Sequence, residues 1–182
     1  MKHQKTIILG FLIFTLLVLA IFVGYGWNDT PSKKAALNNI SKLTETEDFD
    51  DISLTIYYLD PLILTSFPLS VDDLINFNSV NKIVVDGSDV EEHIDLFKQI
   101  SKDDLIPVKK TSRVDARFYY VFESEKEGKL FDVAMSGANN SVFINGIEFE
   151  ENDIFFTIII PFLTEDAKKD LLISVENNSD LR

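Results

Sequence analysis

Residues 116–135 read ARFYYVFESEKEGKLFDVAM, and this stretch decides the fold. Five of the eight residues Ala116–Glu123 are aromatic or β-branched, the side chains that pack best on a pleated surface. Glu125–Gly128 turns the chain, and Leu130–Met135 returns as a second strand. Ser136–Asn140 is a loop of small and polar residues. Val142–Phe149, VFINGIEF, then carries Asn145-Gly146 between two apolar runs, the strongest short-range signal for a type I′ hairpin. An antiparallel meander is therefore expected from Ala116 to Phe149.

Working outward, Ile52–Leu59 alternates well. Ile52, Leu54, Ile56 and Tyr58 face one way and Ser53, Thr55, Tyr57 and Leu59 the other, which predicts a half-buried strand. Asp60-Pro61 ends it, and 62–66 resumes as a short extended segment before Pro68. Ser70-Val-Asp-Asp73 resembles a capping box and opens a short helix to about Phe77. Lys82–Asp86 is a further strand. Ser88-Asp-Val-Glu91 is a fuller capping box, followed by Val90, Ile94, Phe97 and Ile100 at helical spacing, so a helix is expected over 89–101. Residues 152–163 mix strand propensity with a helical face of Ile154, Ile158 and Phe162. A helix to about Ile160 is expected, ended by Pro161, with a second one from Thr164 to about Leu172. The order of elements predicts an α+β domain: a mainly antiparallel sheet of about five strands with helices packed on one face.

The segment KKTSRVDARFYYVFESEKEGKLFDVAMSG (109–137) with the hairpin FINGIEF (143–149) resembles small exported or membrane-anchored domains of unknown function from Gram-positive bacteria. In these an amphipathic helix precedes a lysine-rich segment, an aromatic strand and a meander. The likeness covers about residues 53–163. It implies a location outside the cytoplasm and the same fold class. It carries no catalytic signature.

The chain opens with Lys2, His3 and Lys5, and then Ile7–Gly24 runs IILGFLIFTLLVLAIFVG, 18 residues without a charge. As a helix this stretch is about 27 Å long, close to the roughly 30 Å of a bilayer core. Tyr25 and Trp27 follow, as expected at a membrane–water interface. The exit Val23-Gly24-Tyr25-Gly26-Trp27 is a poor cleavage site, so an uncleaved transmembrane helix is expected, with the N-terminus in the cytoplasm and the larger part outside. Residues 1–27 form the anchor. Residues 28–51, rich in Asn, Asp, Ser, Thr, Lys and Glu, are expected as a polar linker with a short helical turn around 35–43. Residues 52–175 are the expected acidic domain and 176–182 a frayed tail.

The 182 residues contain 30 acidic and 17 basic side chains, a formal charge of -13. Residues 1–27 hold Lys2 and Lys5 and no acid, so the remainder has 15 basic against 30 acidic side chains, net -15. That balance argues against nucleic acid, whose binders cluster Lys and Arg. With no cysteine there is no disulfide, thiolate nucleophile or cysteine-held metal. The sequence contains no G-x-S-x-G elbow, no phosphate loop and no G-x-G-x-x-G. Asp86-Gly-Ser-Asp89 lacks the order of a calcium loop, and His93 has only Asp89 at contact spacing. Adjacent acids such as Asp50-Asp51 and Asp72-Asp73 are expected on solvated surface. Asn28, Asn39, Asn139 and Asn177 begin N-x-S/T sequons, which matter only in a glycosylating pathway.

Lys109, Lys110, Arg113 and Arg117 form the clearest basic island in an acidic chain. They are candidates for docking an anionic partner. The competing reading is a charged edge segment that discourages strand-to-strand association. No catalytic, metal or cofactor residues are assigned. The expected partners are the bilayer, through residues 7–24, and an unidentified protein or cell-envelope component. The functional expectation is a single-pass, membrane-anchored, extracytoplasmic binding or interaction domain. The alternatives are a carboxylate-based cell-envelope hydrolase, or an immunity-type protein that neutralises a basic toxin.

Overall fold

The structure, a computed structural model, describes residues 31–60, 63–136 and 141–169. The uncharged stretch 7–24 and the expected tail 176–182 lie outside the described residues. No helix among the described residues is long and apolar enough to cross a membrane.

The strands are β1 (Ile52–Tyr58), β2 (Asn81–Asp86), β3 (Ala116–Ser124), β4 (Gly128–Ser136), β5 (Val142–Ile144) and β6 (Ile147–Phe149). They form one antiparallel sheet in the order β2-β1-β3-β4-β5-β6, six strands where about five were expected. The extra strand comes from both arms of the short Asn-Gly hairpin joining the sheet. Asn145 (φ 49) and Gly146 (φ 77) hold the two left-handed positions of its turn, as the dipeptide predicts. The β3–β4 turn closes at Gly128 (φ 74).

One face of the sheet presents Leu54, Ile56, Tyr58, Phe118, Tyr120, Phe122, Phe131 and Val133, all buried. Rings recur along it. Phe122 stacks on Phe131 at 4.9 Å and receives Phe97 edge-on at 5.1 Å, while Phe118 meets Tyr120 and Phe156. The helices over this face are α1 (Pro31–Thr44), α3 (Gly87–Glu92), α4 (Ile94–Phe97) and α5 (Ile154–Thr157), with α2 (Val71–Ile75) lying elsewhere. The Tyr120 hydroxyl donates to the Phe155 carbonyl at 3.2 Å, which satisfies a buried polar atom and ties α5 to the sheet.

Three expectations are corrected here. The expected polar linker 28–51 contains α1, a 14-residue helix that buries Ala36, Ile40 and Leu43 and packs on β4 and α4. Those apolar residues recur at helical spacing among polar ones, and a composition count hides them. The expected helix 89–101 is two short helices broken at His93 (φ -113, ψ 10), beginning at Gly87 rather than after Ser88. Close approach of the chain decides that start: a Cβ on Gly87 would lie 1.7 Å from the Phe49 carbonyl oxygen. The helix expected to Ile160 ends at Thr157, and Ile160–Phe162 around Pro161 tightens into a 3₁₀ turn. The capping box at Ser70 forms as expected, with the Ser70 hydroxyl accepting from the Asp73 N–H at 3.1 Å.

A fourth correction concerns the covering layers. Helices were expected on one face only, yet the second face is covered too. Tyr119 and Val121 alternate with the inward rings of β3, and both are buried. Leu59, Leu69 and Leu74, from the connection carrying α2, pack there with Tyr119, Val121, Ala134 and Phe143.

A packed α1 and a flexible tether respond differently to truncation. Leu43 is fully buried. Leu43→Ala is expected to lower stability by about 3 kcal/mol, measured by thermal unfolding of the full chain. A tether would leave the transition unchanged.

Candidate functional site

The start of β1, the end of β2 and the β3–β4 turn meet at one end of the sheet. Ser53 lies opposite Asp86 in the β1–β2 pairing, which brings positions 33 residues apart into register. The turn is fastened to the same place. The Glu125 N–H donates to the Asp51 carbonyl at 3.1 Å, and the Ser124 hydroxyl donates to Asp51 Oδ2 at 2.5 Å. Ser124 Oγ in turn accepts the Lys126 and Glu127 N–H groups. Between these elements lies an open cleft of about 260 Å³ lined by Asp50, Asp51, Asp86, Glu125, Ser53 and Ser88, together with Ile52 and Gly87.

Four acidic residues and two serines thus border one recess. Asp50, Asp86 and Glu125 make no ion pair among the described residues. Nearby, Lys126 pairs with Asp48 at 2.8 Å, which holds the Asp48 carboxyl below its ordinary value and the Lys126 ammonium above. Both are exposed. The cleft is therefore an acidic recess whose neighbouring cation, Lys126, is already paired, which suits it to a positively charged group from outside. Among the described residues no group of three or more His, Cys, Asp or Glu side chains is arranged to hold a metal ion. His93 instead sets its ring edge-on to Phe162 at 5.3 Å.

The four basic candidates are split. Lys109, Lys110 and Arg113 are exposed on the connection before β3. The Asp73 carboxyl is held below its ordinary value chiefly by hydrogen bonds from the Ser70 hydroxyl and N–H, to which the nearby Arg113 charge adds a smaller contribution. Arg117 is committed elsewhere: its guanidinium donates to the Ile63 carbonyl at 3.2 Å and the Thr65 hydroxyl at 2.6 Å, and pairs with Asp115 at 3.2 Å. It works as a clamp on the loop after β1. The connection itself runs along the β6 edge, through a Pro107–Phe149 bridge and a bond from the Glu150 N–H to the Ile106 carbonyl.

Glu148 fixes this basic connection from beneath. Its carboxylate accepts the Ser112 N–H and the Ser112 hydroxyl. Burial raises the Glu148 carboxyl, but the two Ser112 bonds and one from Ser141 outweigh it, so the net shift is downward. Nothing in the linear pattern around Glu148 signals this role. The cleft is partly signalled: Asp86-Gly-Ser-Asp89, which lacks the order of a calcium loop, contributes three of its residues to the recess. Asp50, Asp51 and Glu125 join only through strand pairing.

No family model matches the chain, and no curated protein and no solved structure matches it.

Two outcomes follow from this geometry. Gly87→Ala pushes a methyl into a backbone carbonyl that has nowhere to go. It is expected to cost about 3 kcal/mol in thermal unfolding and to distort the cleft. Glu148 has a folded value below its unfolded one of about 4.3, so its contribution is present above that pH and is lost as pH falls through the folded value. Glu148→Gln is therefore expected to destabilise the domain near neutrality, with the gap to the parent closing in acid. A gap that stays constant across the titration would exclude the carboxylate as its source.

Proposed function

We propose that the chain is a single-pass membrane-anchored protein whose acidic α+β domain lies outside the cytoplasm and works as a binding module. The uncharged stretch Ile7–Gly24, separated from the first residue of α1 by only the six residues 25–30, carries this reading. The resemblance to small exported or membrane-anchored domains of Gram-positive bacteria agrees with it. The favoured partner is cationic. A net charge of -15 outside the anchor attracts such a partner over long range, and the carboxylate-lined cleft offers it a seat. This favours an immunity-type role against a basic protein over docking of an anion on Lys109, Lys110 and Arg113, since Arg117 is occupied.

A carboxylate-based hydrolase is less well supported. Its general acid needs a carboxyl held up toward neutral pH. Among the described residues the carboxyls that are shifted, Asp48, Asp73, Asp104, Glu148 and Glu165, are all shifted down by hydrogen bonds or lysines.

Since the chain has no cysteine, one thiol introduced as Glu125→Cys reports topology without background. In intact cells a membrane-impermeant maleimide is expected to label it, with the mass of the unlabelled protein still including residues 1–27. Labelling only after the membrane is opened would overturn the topology. A mass lacking the first 27 residues would overturn the anchor in favour of a released domain.

A further inference from the structure

The large apolar side chains that the described residues expose are Leu64, Phe67, Val84 and Ile106. Two of these four lie in one short loop, with Leu64 93% and Phe67 61% exposed. Residues 63–70, ILTSFPLS, contain no charge, in a chain where a quarter of the residues are charged.

The loop is held firmly, so the exposure is not slack. Arg117 grips the Ile63 carbonyl and the Thr65 hydroxyl, and that hydroxyl donates to the Phe67 carbonyl at 2.9 Å. The Leu69 N–H donates to Asp115 at 3.0 Å, and the Leu69 carbonyl accepts from the Ala116 N–H at 2.8 Å. Ile63 and Leu69 turn inward to the second cluster. The fold thereby buries Leu69, half-buries Ile63 and presents Leu64 and Phe67 to the outside.

The place of the loop matters. It leaves the sheet at the end of β1 and rejoins it at the start of β3, where the Leu59 N–H donates to the Arg117 carbonyl. The β3–β4 turn is at the opposite end of the same strands. The carboxyl end of α1 is tied to that turn, through Lys42 to Glu127 and, just beyond the helix, Asp48 to Lys126. The amino end of α1 is about 20 Å away along the helix axis. Only residues 25–30 separate it from the uncharged stretch, and an extended chain covers at most about 3.5 Å per residue. The domain is thus held within about 25 Å of any bilayer in which residues 7–24 sit.

We propose that the loop 63–68 touches that bilayer, with Leu64 and Phe67 entering its interfacial layer. This rests on the anchored reading above. An uncharged loop with one aliphatic and one aromatic tip suits the headgroup–acyl boundary, where apolar side chains are buried without a full span. The contact is apolar, so it needs no anionic lipid, which a domain of net -15 would repel. It also fixes the domain as a short, oriented platform, with the β3–β4 turn and its cleft directed away from the membrane.

The test uses the full chain reconstituted in phosphatidylcholine vesicles, with single thiols at Leu64→Cys, Phe67→Cys and Glu125→Cys carrying an environment-sensitive fluorophore. Emission from 64 and 67 is expected to shift to the blue and to be quenched roughly two-fold by spin-labelled phosphatidylcholine, at low and high salt alike, with 125 unaffected. Water-like emission at all three sites, in protein that floats with the vesicles, would overturn the proposal and leave the anchor standing. Failure to float would instead overturn the anchored reading and the proposal with it. A blue shift that grows with protein concentration and ignores the lipid quencher would assign the loop to contact between copies, which also overturns it.

Discussion

Strand β3 is apolar on both sides, and the rest of the structure is arranged to keep water from it. Phe118, Tyr120 and Phe122 point one way and Tyr119 and Val121 the other, and each of the five is buried. A strand with two such faces belongs in the middle of a sheet, with neighbours on both edges and cover above and below. β1 and β4 take the edges. The helices α1, α3, α4 and α5 cover one face, and the connection with α2 covers much of the other. Burying five large side chains of this kind is worth about 2 kcal/mol each before entropy is counted, so the cover is not optional.

The polar parts follow from the same constraint. Segments that cover the sheet must be tied at their ends, and buried acids and hydroxyls do much of the tying. Glu148 holds the 112 region, Asp115 and Arg117 hold the loop after β1, and the Ser124–Asp51 pair holds the β3–β4 turn to the start of β1. These fastenings consume charges that a linear reading counts as free. Arg117 is the clearest case: in sequence it is one of four basic residues, and in the fold it is a loop clamp. Asp50, Asp86 and Glu125 go the other way. They are ordinary acids in the sequence, and strand pairing gathers them at one cleft with Asp51.

Parts of this were legible in the chain. Alternation in β1, the Asn145-Gly146 turn and the capping box at Ser70 each depend on residues within a few positions of one another, and each forms as its pattern dictates. The helix break at His93 and the start at Gly87 were not legible, because Gly87 is set by the Phe49 carbonyl, 38 positions earlier. α1 was hidden by its polar face. Its three buried apolar residues are a minority of its 14, and their value appears only when β4 and α4 are beside them.

The sequence by itself determined the α+β class, the antiparallel meander and the acidity of the domain. Period-two patterning, turn dipeptides and charge are local or additive properties, and they survive without knowledge of neighbours. Tertiary structure alone decided the number of covering layers, the inclusion of α1, the occupation of Arg117 and the gathering of the cleft acids. Each of those depends on which distant residues end up a few ångströms apart. Hydrogen bonding, desolvation and steric exclusion act only over that range.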